Sequence, residues 1–587
     1  MGDSSRCQVT RHFLKLTLKL MAMKSIYKFH IVLYIFLCGV TFSCIKHLEK
    51  LNENPNGANP ATTNPSLVLS TVLSETGKTF VGLGYGDIAG VMQYTQKDGW
   101  GSTHNNYDWG GDNPWGAYYD ILRNNKYVYN KAVASNDEFL QGITLVMKSM
   151  VFGLLTDLYG DIPYTTALQG DEGGQDKTFP AYDDQKTVYE GILADLKTAN
   201  TLLSKPKSEY SNNPGSVDLY YNGDPAKWRK LANSLALRYY MRISEKLPAD
   251  AKTGIEMIVG DPTDYPIITS ASDDATMAFA GNSNDNSWPN NVNYDSDSSN
   301  YRRIKMCNTF VTALQALQDP RLGIFAAKVQ VFLKVDDNLP PHTDYITDTV
   351  VNGENRRVRY LSPDILSSRA LTPDDINQNP DYVGLPVALT GPQAYNLSPD
   401  LNQASRNPHV SWLNDIYRDP KGPLLKARLM SAAEVHFIIA EAKAVKGWTS
   451  ADAETEYYAG IKSSFDAWGL GSAYSNYIMQ PDVVFDDTQK QIMEQKWIAN
   501  WTNATESWFD FRRTGFPELH GVQGLTIAPE LPVRFYYPKA EQNLNSTNEQ
   551  AAASKLEVTS YSGFGADGNK NSAWSKMWLL QGTGKPW

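Results

Sequence analysis

The residues best suited to chemistry in this chain are aromatic rings set among amides. The stretch Trp100-Gly-Ser-Thr-His104-Asn105-Asn106-Tyr107-Asp108-Trp109, followed by Trp115, concentrates three Trp and a Tyr in a Gly- and Asn-rich segment. Core aromatics belong on helix faces. Flat rings beside Asn, Asp and His in a loop suit stacking on sugar rings, with amides and carboxylates bonding hydroxyls. The alternative is that Trp109 and Trp115 pack the loop onto helices. A second stretch, 281–300, is nearly all Asn, Asp and Ser around Trp288 and Tyr294, and is a candidate to converge with the first on one face. The expected ligand contacts are therefore Trp100, His104, Asn105, Tyr107, Trp109, Trp288 and Tyr294. The same groups would hold a peptide, aromatics taking side chains and amides taking backbone groups.

Signatures of catalysis are missing. There is no His-Glu-x-x-His zinc motif, no Gly-x-Ser-x-Gly elbow and no Gly-x-x-x-x-Gly-Lys phosphate loop. Gly82-Leu83-Gly84-Tyr85-Gly86 lacks the preceding strand and the spacing of a dinucleotide site and reads as a flexible bend. The eight His residues show no metal-ligand spacing. Asp157 with Asp161, or Glu434 with Glu441, could be imagined as a glycosidase couple, but 64 acids produce such pairs by chance. Asp285, Asp295 and Asp297 lie in a polar loop where oxygen ligands could hold Ca²⁺; solvated loop acids are the other reading. The expectation is a binding protein that is not an enzyme, with no catalytic residue, no cofactor and no metal beyond that Ca²⁺ alternative.

Such loops need a large scaffold to position them. The 587 residues, 42% hydrophobic and 20% charged, with 20 Phe, 14 Trp and 33 Tyr, describe an ordered globular chain. Apolar residues recur at helical spacing in Trp115–Val133, Phe139–Tyr159 and Tyr182–Leu203, the first two as an antiparallel pair. Asp224-Pro225 opens a fourth helix as cap and first residue, and Trp228, Leu231, Leu235 and Tyr239 line its inner face. Ser431 and Glu434 form a capping-box pattern ahead of another helix, which Gly447 stops; Ala451–Trp468 and Asp487–Asn503 follow. Helix pairs of this length suggest an array like tetratricopeptide repeats. Between Gly260 and Asp419 the composition turns to loop, with Val329–Val335 and Val358–Leu361 as small strands. The fold class is mainly α, with a long irregular region and minor β.

The N-terminus reads as a processing signal. Residues 1–43 carry six Lys or Arg and one acid, so the net charge of −10 conceals a body at −15, which argues against nucleic acid. Lys24 and Lys28 precede an apolar run, Ile31–Val40, too short to span a bilayer. Met21 or Met23 makes a better start than Met1. Ser43 before Cys44 fits lipoprotein processing, with lipid on Cys44 as the anchor; a plain secretory signal is the alternative. A mature chain would keep only Cys44 and Cys307, so lipidation precludes an internal disulfide. No second apolar stretch reaches about 18 residues.

Several pieces together resemble the SusD/RagB family of Bacteroidetes outer-membrane lipoproteins. They are Cys44 followed by Asn52-Glu-Asn-Pro-Asn56; Trp115-Gly-Ala-Tyr-Tyr119 with Asn124-Asn125; Leu158-Tyr-Gly-Asp-Ile-Pro-Tyr164; Asp319-Pro-Arg321; Gly384-Leu-Pro386; Ser431-Ala-Ala-Glu434 through Ala440-Glu-Ala442; Gln495-Lys-Trp497; and Trp508-Phe-Asp-Phe-Arg-Arg-Thr-Gly-Phe-Pro517. The resemblance spans nearly the whole mature chain. It implies a leader at 1–43, a lipidated tether at 44–65 and one body at 66–587. Within the body it implies four helix pairs like tetratricopeptide repeats, at about 113–245 and 431–510, around a loop-rich region at about 260–425. It further implies no catalysis, nutrient capture at the outer membrane, and a SusC-type TonB-dependent β-barrel transporter as partner. Its ligand face is built from the regions matching Trp100–Trp109 and Trp288–Tyr294, while Arg512-Arg513 and Leu-Tyr-Gly-Asp are structural pairings. Oligosaccharide is the favoured cargo and oligopeptide the alternative; a purely structural or adhesive lipoprotein is a further one. The residues after Cys44 are not an acidic run, so surface exposure rests on the resemblance.

Overall fold

Apolar spacing becomes helix wherever a cap and a buried face coincide. A computed structural model describes residues 63–110, 113–387, 389–521, 530–564 and 570–587. The leader, Cys44 and nearly all of the tether fall outside the described residues. The chain enters through α1 (Pro65–Gly84) and the short α2 (Asp87–Val91), then β1 (Thr95–Lys97) and one turn of helix, α3 (Ser102–Asn105). The antiparallel pair follows as α4 (Gly116–Ala134) and α5 (Glu138–Tyr159), joined by three residues of which Asp137 caps α5 by accepting from the Leu140 N–H. Next come α6 (Gln185–Leu202), α7 (Pro225–Arg242) and α8 (Pro248–Gly260). Asp224 accepts from the N–H groups of Ala226 and Lys227, and Pro225 opens α7.

The loop-rich region carries β2 (Ala275–Ala278), β3 (Ile304–Met306), α9 (Asn308–Ala316), β4 (Val331–Val335), β5 (Asp344–Val351), β6 (Glu354–Leu361) and β7 (Lys426–Met430). Their sheets are small: β1 pairs antiparallel with β3, β2 with β7, and β6 lies between a parallel β4 and an antiparallel β5. The second helical half is α10 (Ala432–Ala444), α11 (Ala453–Ala467), α12 (Gln489–Ala499) and α13 (Ala504–Thr514). Helices α4 with α5, α6 with α7, α10 with α11, and α12 with α13 pack as the four pairs. Gly447, at φ +65, follows the end of α10.

Four details differ from the sequence reading. The bend at Gly82–Gly86 is firmly packed, because α1 runs through Gly84 and Tyr85 is buried. Helix α5 is long and apolar enough to cross a membrane, yet 89% of that stretch is buried inside the protein, so it is a core helix. The segment Asp487–Asn503 shortens to α12, and α13 starts as a separate helix at Ala504. The capping box is only half formed: Ser431 accepts from the Glu434 N–H, while the Glu434 carboxylate turns away to Arg238.

That turn places Glu434 in a buried lattice of charge joining the two helical halves. Glu434 takes a two-pronged pair from Arg238, both bonds at 2.7 Å, and Glu441 takes one from Arg513 at 2.6 and 2.7 Å. Glu506 faces Arg238 at 3.3 Å and Arg242 at 2.5 Å. Asp157 lies 3.3 Å from Arg242 and 3.6 Å from Arg512, and Asp510 lies 2.7 Å from Lys496 and 3.2 Å from Arg513. Five cations thus meet five carboxylates out of reach of water. Three of the carboxylates that suggested a glycosidase couple, Asp157, Glu434 and Glu441, are held in this lattice. The fourth, Asp161, accepts from the Gln185 N–H and pairs with Lys555.

Candidate functional site

β1 delivers the chain to a cleft of about 360 Å³, walled by residues 97–102 and 105–106 on one side and by 389–393 and 403 on the other. Trp100 stands in the first wall with 71% of its surface exposed. Its backbone is left-handed, at φ +56, a conformation only a few per cent of non-glycine residues adopt. Gly99 lets the wall come close to its neighbour, since a Cβ there would lie 1.7 Å from the Gln403 carbonyl oxygen. The Arg303 guanidinium covers the Trp100 ring at 5.6 Å. An exposed ring beside Asn106, Thr390, Gln393 and Gln403 can stack on an apolar face while amides and hydroxyls bond the rim of the same ligand.

The other aromatics of the Trp100–Trp109 stretch build the wall. Trp109 is 7% exposed, packs edge-on against Trp508 and Phe535 at 5.6 and 4.7 Å, and donates its indole N–H to the Thr103 carbonyl at 3.1 Å. Trp115 is buried against Tyr119, Tyr159 and Tyr182. Tyr107 is buried too. His104 is fully buried, with Nε2 3.0 Å from the Thr95 hydroxyl and Nδ1 3.4 Å from Asp87. Burial lowers the His104 imidazole below its ordinary value against the pull of Asp87. Burial would raise Asp87, but the hydrogen bond and charge of His104, with Lys97, bring its carboxyl down to about 2. Asn105 lines the cleft, yet its amide is spent on the Lys97 backbone, accepting the N–H at 2.8 Å and donating to the carbonyl at 2.6 Å. Of the five positions expected here as contacts, Trp100 alone offers an exposed ring, with Arg303 over it, and Tyr107, His104 and Trp109 are corrected to core.

The second loop is likewise divided. Trp288 is 0% exposed, clasped by Tyr85, Phe279 and Tyr417 with ring centres 4.9 to 6.1 Å away, and is no ligand platform. Tyr294, 43% exposed, lines a separate polar cavity of about 350 Å³ together with Lys78, Asp285 and Asn290. The two cavities share no lining residue, so the loops form two recesses. Asp295 accepts from the Asn300 N–H and the Ser299 hydroxyl, and Asp297 pairs with Arg302 at 2.9 Å. Those engagements account for two of the three acids considered for Ca²⁺. Among the described residues, no group of three or more His, Cys, Asp or Glu side chains could hold a metal ion.

Sequence reasoning missed the second wall of the cleft. Its only local signal is the Gly391-Pro392 turn, because 389–393 is far from Trp100 along the chain and only tertiary packing brings the two together. It also missed Asp98, which lines the cleft while its carboxylate points inward to Lys305 at 3.1 Å.

Residues 59–538 match the SusD-like family model described as "Starch-binding associating with outer membrane". A search of curated proteins finds no match. Among solved structures, a SusD homologue from Bacteroides fragilis is 24% identical, with a TM-score of 0.63, covering 88% of this chain and 99% of its own. A chitin-binding SusD homologue from Flavobacterium johnsoniae is 20% identical, with a TM-score of 0.62, covering 88% and 98%. At these identities the structural likeness is one of fold, and it agrees with the family match over most of the chain. The chain belongs to the SusD/RagB family of nutrient-binding proteins associated with the outer membrane.

Proposed function

We propose that this protein is a lipid-anchored outer-membrane protein, facing the cell surface, that binds oligosaccharides without altering them and delivers them to a TonB-dependent transporter of the SusC type. The observation that carries this reading is Trp100, an exposed indole on a left-handed turn in the wall of a cleft lined by amides and hydroxyls as well as apolar groups. A sugar presents an apolar ring face edged by hydroxyls, and the cleft offers one ring edged by amides. The chitin-binding relative of the same fold supports glycan as the cargo class.

The test is retention. The chain from residue 45 onward, mixed with pooled oligosaccharides and oligopeptides and separated by size, retains sugars detectable by mass spectrometry. Trp100→Ala is expected to weaken that retention about 5-fold or more, since a stacked ring contributes about 1 kcal/mol beyond its buried area. Retained peptides in place of sugars would move the cargo to oligopeptides, and intact ligand after long incubation separates binding from turnover. Anchoring is tested independently by Cys44→Ala, which is expected to shift the protein from the membrane fraction to the soluble one. An unchanged membrane-bound pool would sink the lipid anchor.

A further inference from the structure

Beneath Trp100 lies a buried ion pair with no role in the lattice between the helices. Asp98 follows β1 directly, and its N–H donates to the Arg303 carbonyl at 3.0 Å. Lys305 sits on β3 opposite Gln96, its ammonium 3.1 Å from the Asp98 carboxylate, and both side chains are shut off from water. The same ammonium donates to the Arg302 carbonyl and to the Ser405 carbonyl at 3.4 Å, and lies 4.7 Å from the centre of the Trp412 ring. Ser405 is two residues from Gln403, whose carbonyl packs against Gly99 in the cleft. From its place on β3 one ammonium therefore ties three segments: the Trp100 turn through Asp98, the helical turn just before β3 through Arg302, and the far wall through Ser405.

We propose that Asp98 and Lys305 are positioning residues, a clamp under the cleft floor that holds the Trp100 turn against the far wall and so sets the affinity for the ligand. This rests on the reading that the cleft is where the ligand binds. Although Asp98 lines the cleft, its carboxylate and the Lys305 ammonium are buried facing each other, so the pair acts through the turn it fixes. Burial raises the Asp98 carboxyl to about 6 against the pull of Lys305, and burial lowers Lys305 to about 8 against the pull of Asp98. Asp98 is ionised above the first value and Lys305 is charged below the second. Both charges coexist between about pH 6 and about 8, and outside that window one of them is left buried without its counter-charge. The other charged groups around the pair are Arg302 and Asp400, which act on Lys305, Arg303 above the Trp100 ring, and Lys97, Asp87 and His104 behind the turn. The carboxyls of Asp87 and Asp400 are held below their ordinary values by hydrogen bonds and nearby cations, in each case against burial, so they remain ionised across the window.

The experiment uses the protein extracted from membranes in detergent and labelled with 5-fluorotryptophan, the Trp100 signal being identified by its loss in Trp100→Phe. Fluorine NMR of the free protein from pH 5 to 9 is expected to show that signal moving with one midpoint near 6 and another near 8. Retention of starch- and chitin-derived oligosaccharide pools should peak between them and fall about 5-fold or more on either side, the scale of coupling between linked sites. Asp98→Asn keeps the side chain's shape and should abolish the acid limb in both readouts. Asp98→Asn/Lys305→Met removes both charges, avoids a lone buried ammonium, and should flatten the profile. An acid limb that survives Asp98→Asn would assign it to His104 and overturn the clamp. A Trp100 signal and a retention curve both flat across the range would overturn it too. Retention of neither pool at any pH would count against the glycan reading alone, because the fluorine titration judges the clamp without ligand.

Discussion

Glu506→Ala is expected to lower the stability of the folded chain by about 3–5 kcal/mol, the scale for removing one partner of a buried ion pair. Glu506 is the carboxylate shared by Arg238 and Arg242. Its loss leaves five buried cations facing four carboxylates, with both arginines on α7 unable to reach water. Glu434 still holds Arg238, and Asp157 still holds Arg242 at 3.3 Å, so the chain folds but unfolds at markedly lower urea. The contrast is Lys186→Ala, which breaks a pair with Glu190 at 3.6 Å between half-exposed side chains and should change stability by less than about 1 kcal/mol. Urea unfolding followed by tryptophan fluorescence compares the two. Equal midpoints would mean that the buried lattice adds no more than a surface pair.

Trp288→Ala carries the second large effect, a loss of about 3–5 kcal/mol from emptying a filled aromatic cage. The ring touches Tyr85, Phe279 and Tyr417 and has no exposed surface, so the folded fraction should retain ligand as the unaltered protein does. Trp100→Ala should behave oppositely, weakening retention with stability changed by less than about 0.5 kcal/mol, as expected of an exposed position. A Trp288→Ala protein with an unchanged unfolding midpoint and lost retention would restore Trp288 as a ligand platform.

These opposite expectations for two tryptophans in polar loops mark the boundary of what sequence reveals. The helical halves were legible because their signals are local. Asp224-Pro225 caps α7, and Trp228, Leu231 and Leu235 repeat at helical spacing, so the buried face follows from the chain itself. The four helix pairs were legible only through the family resemblance, which short motifs carry by their order along the sequence. The pairing of Arg513 with Glu441 fits the structural role implied for its motif, although neither spacing nor charge names the partner. The candidate site was legible only as a region. Composition locates aromatics near Asn and Gly, but whether a ring faces water depends on what packs behind it, and that comes from remote segments. Trp508 and Phe535 cover Trp109, and Tyr417 helps to cover Trp288, whereas Trp100 stays 71% exposed beside Arg303. The chain's own pattern thus determined the helical scaffold and the two loops it carries; tertiary packing alone decided which ring is exposed, that the loops form two recesses, and that Asp98 meets Lys305, because burial and pairing across hundreds of residues leave no local trace.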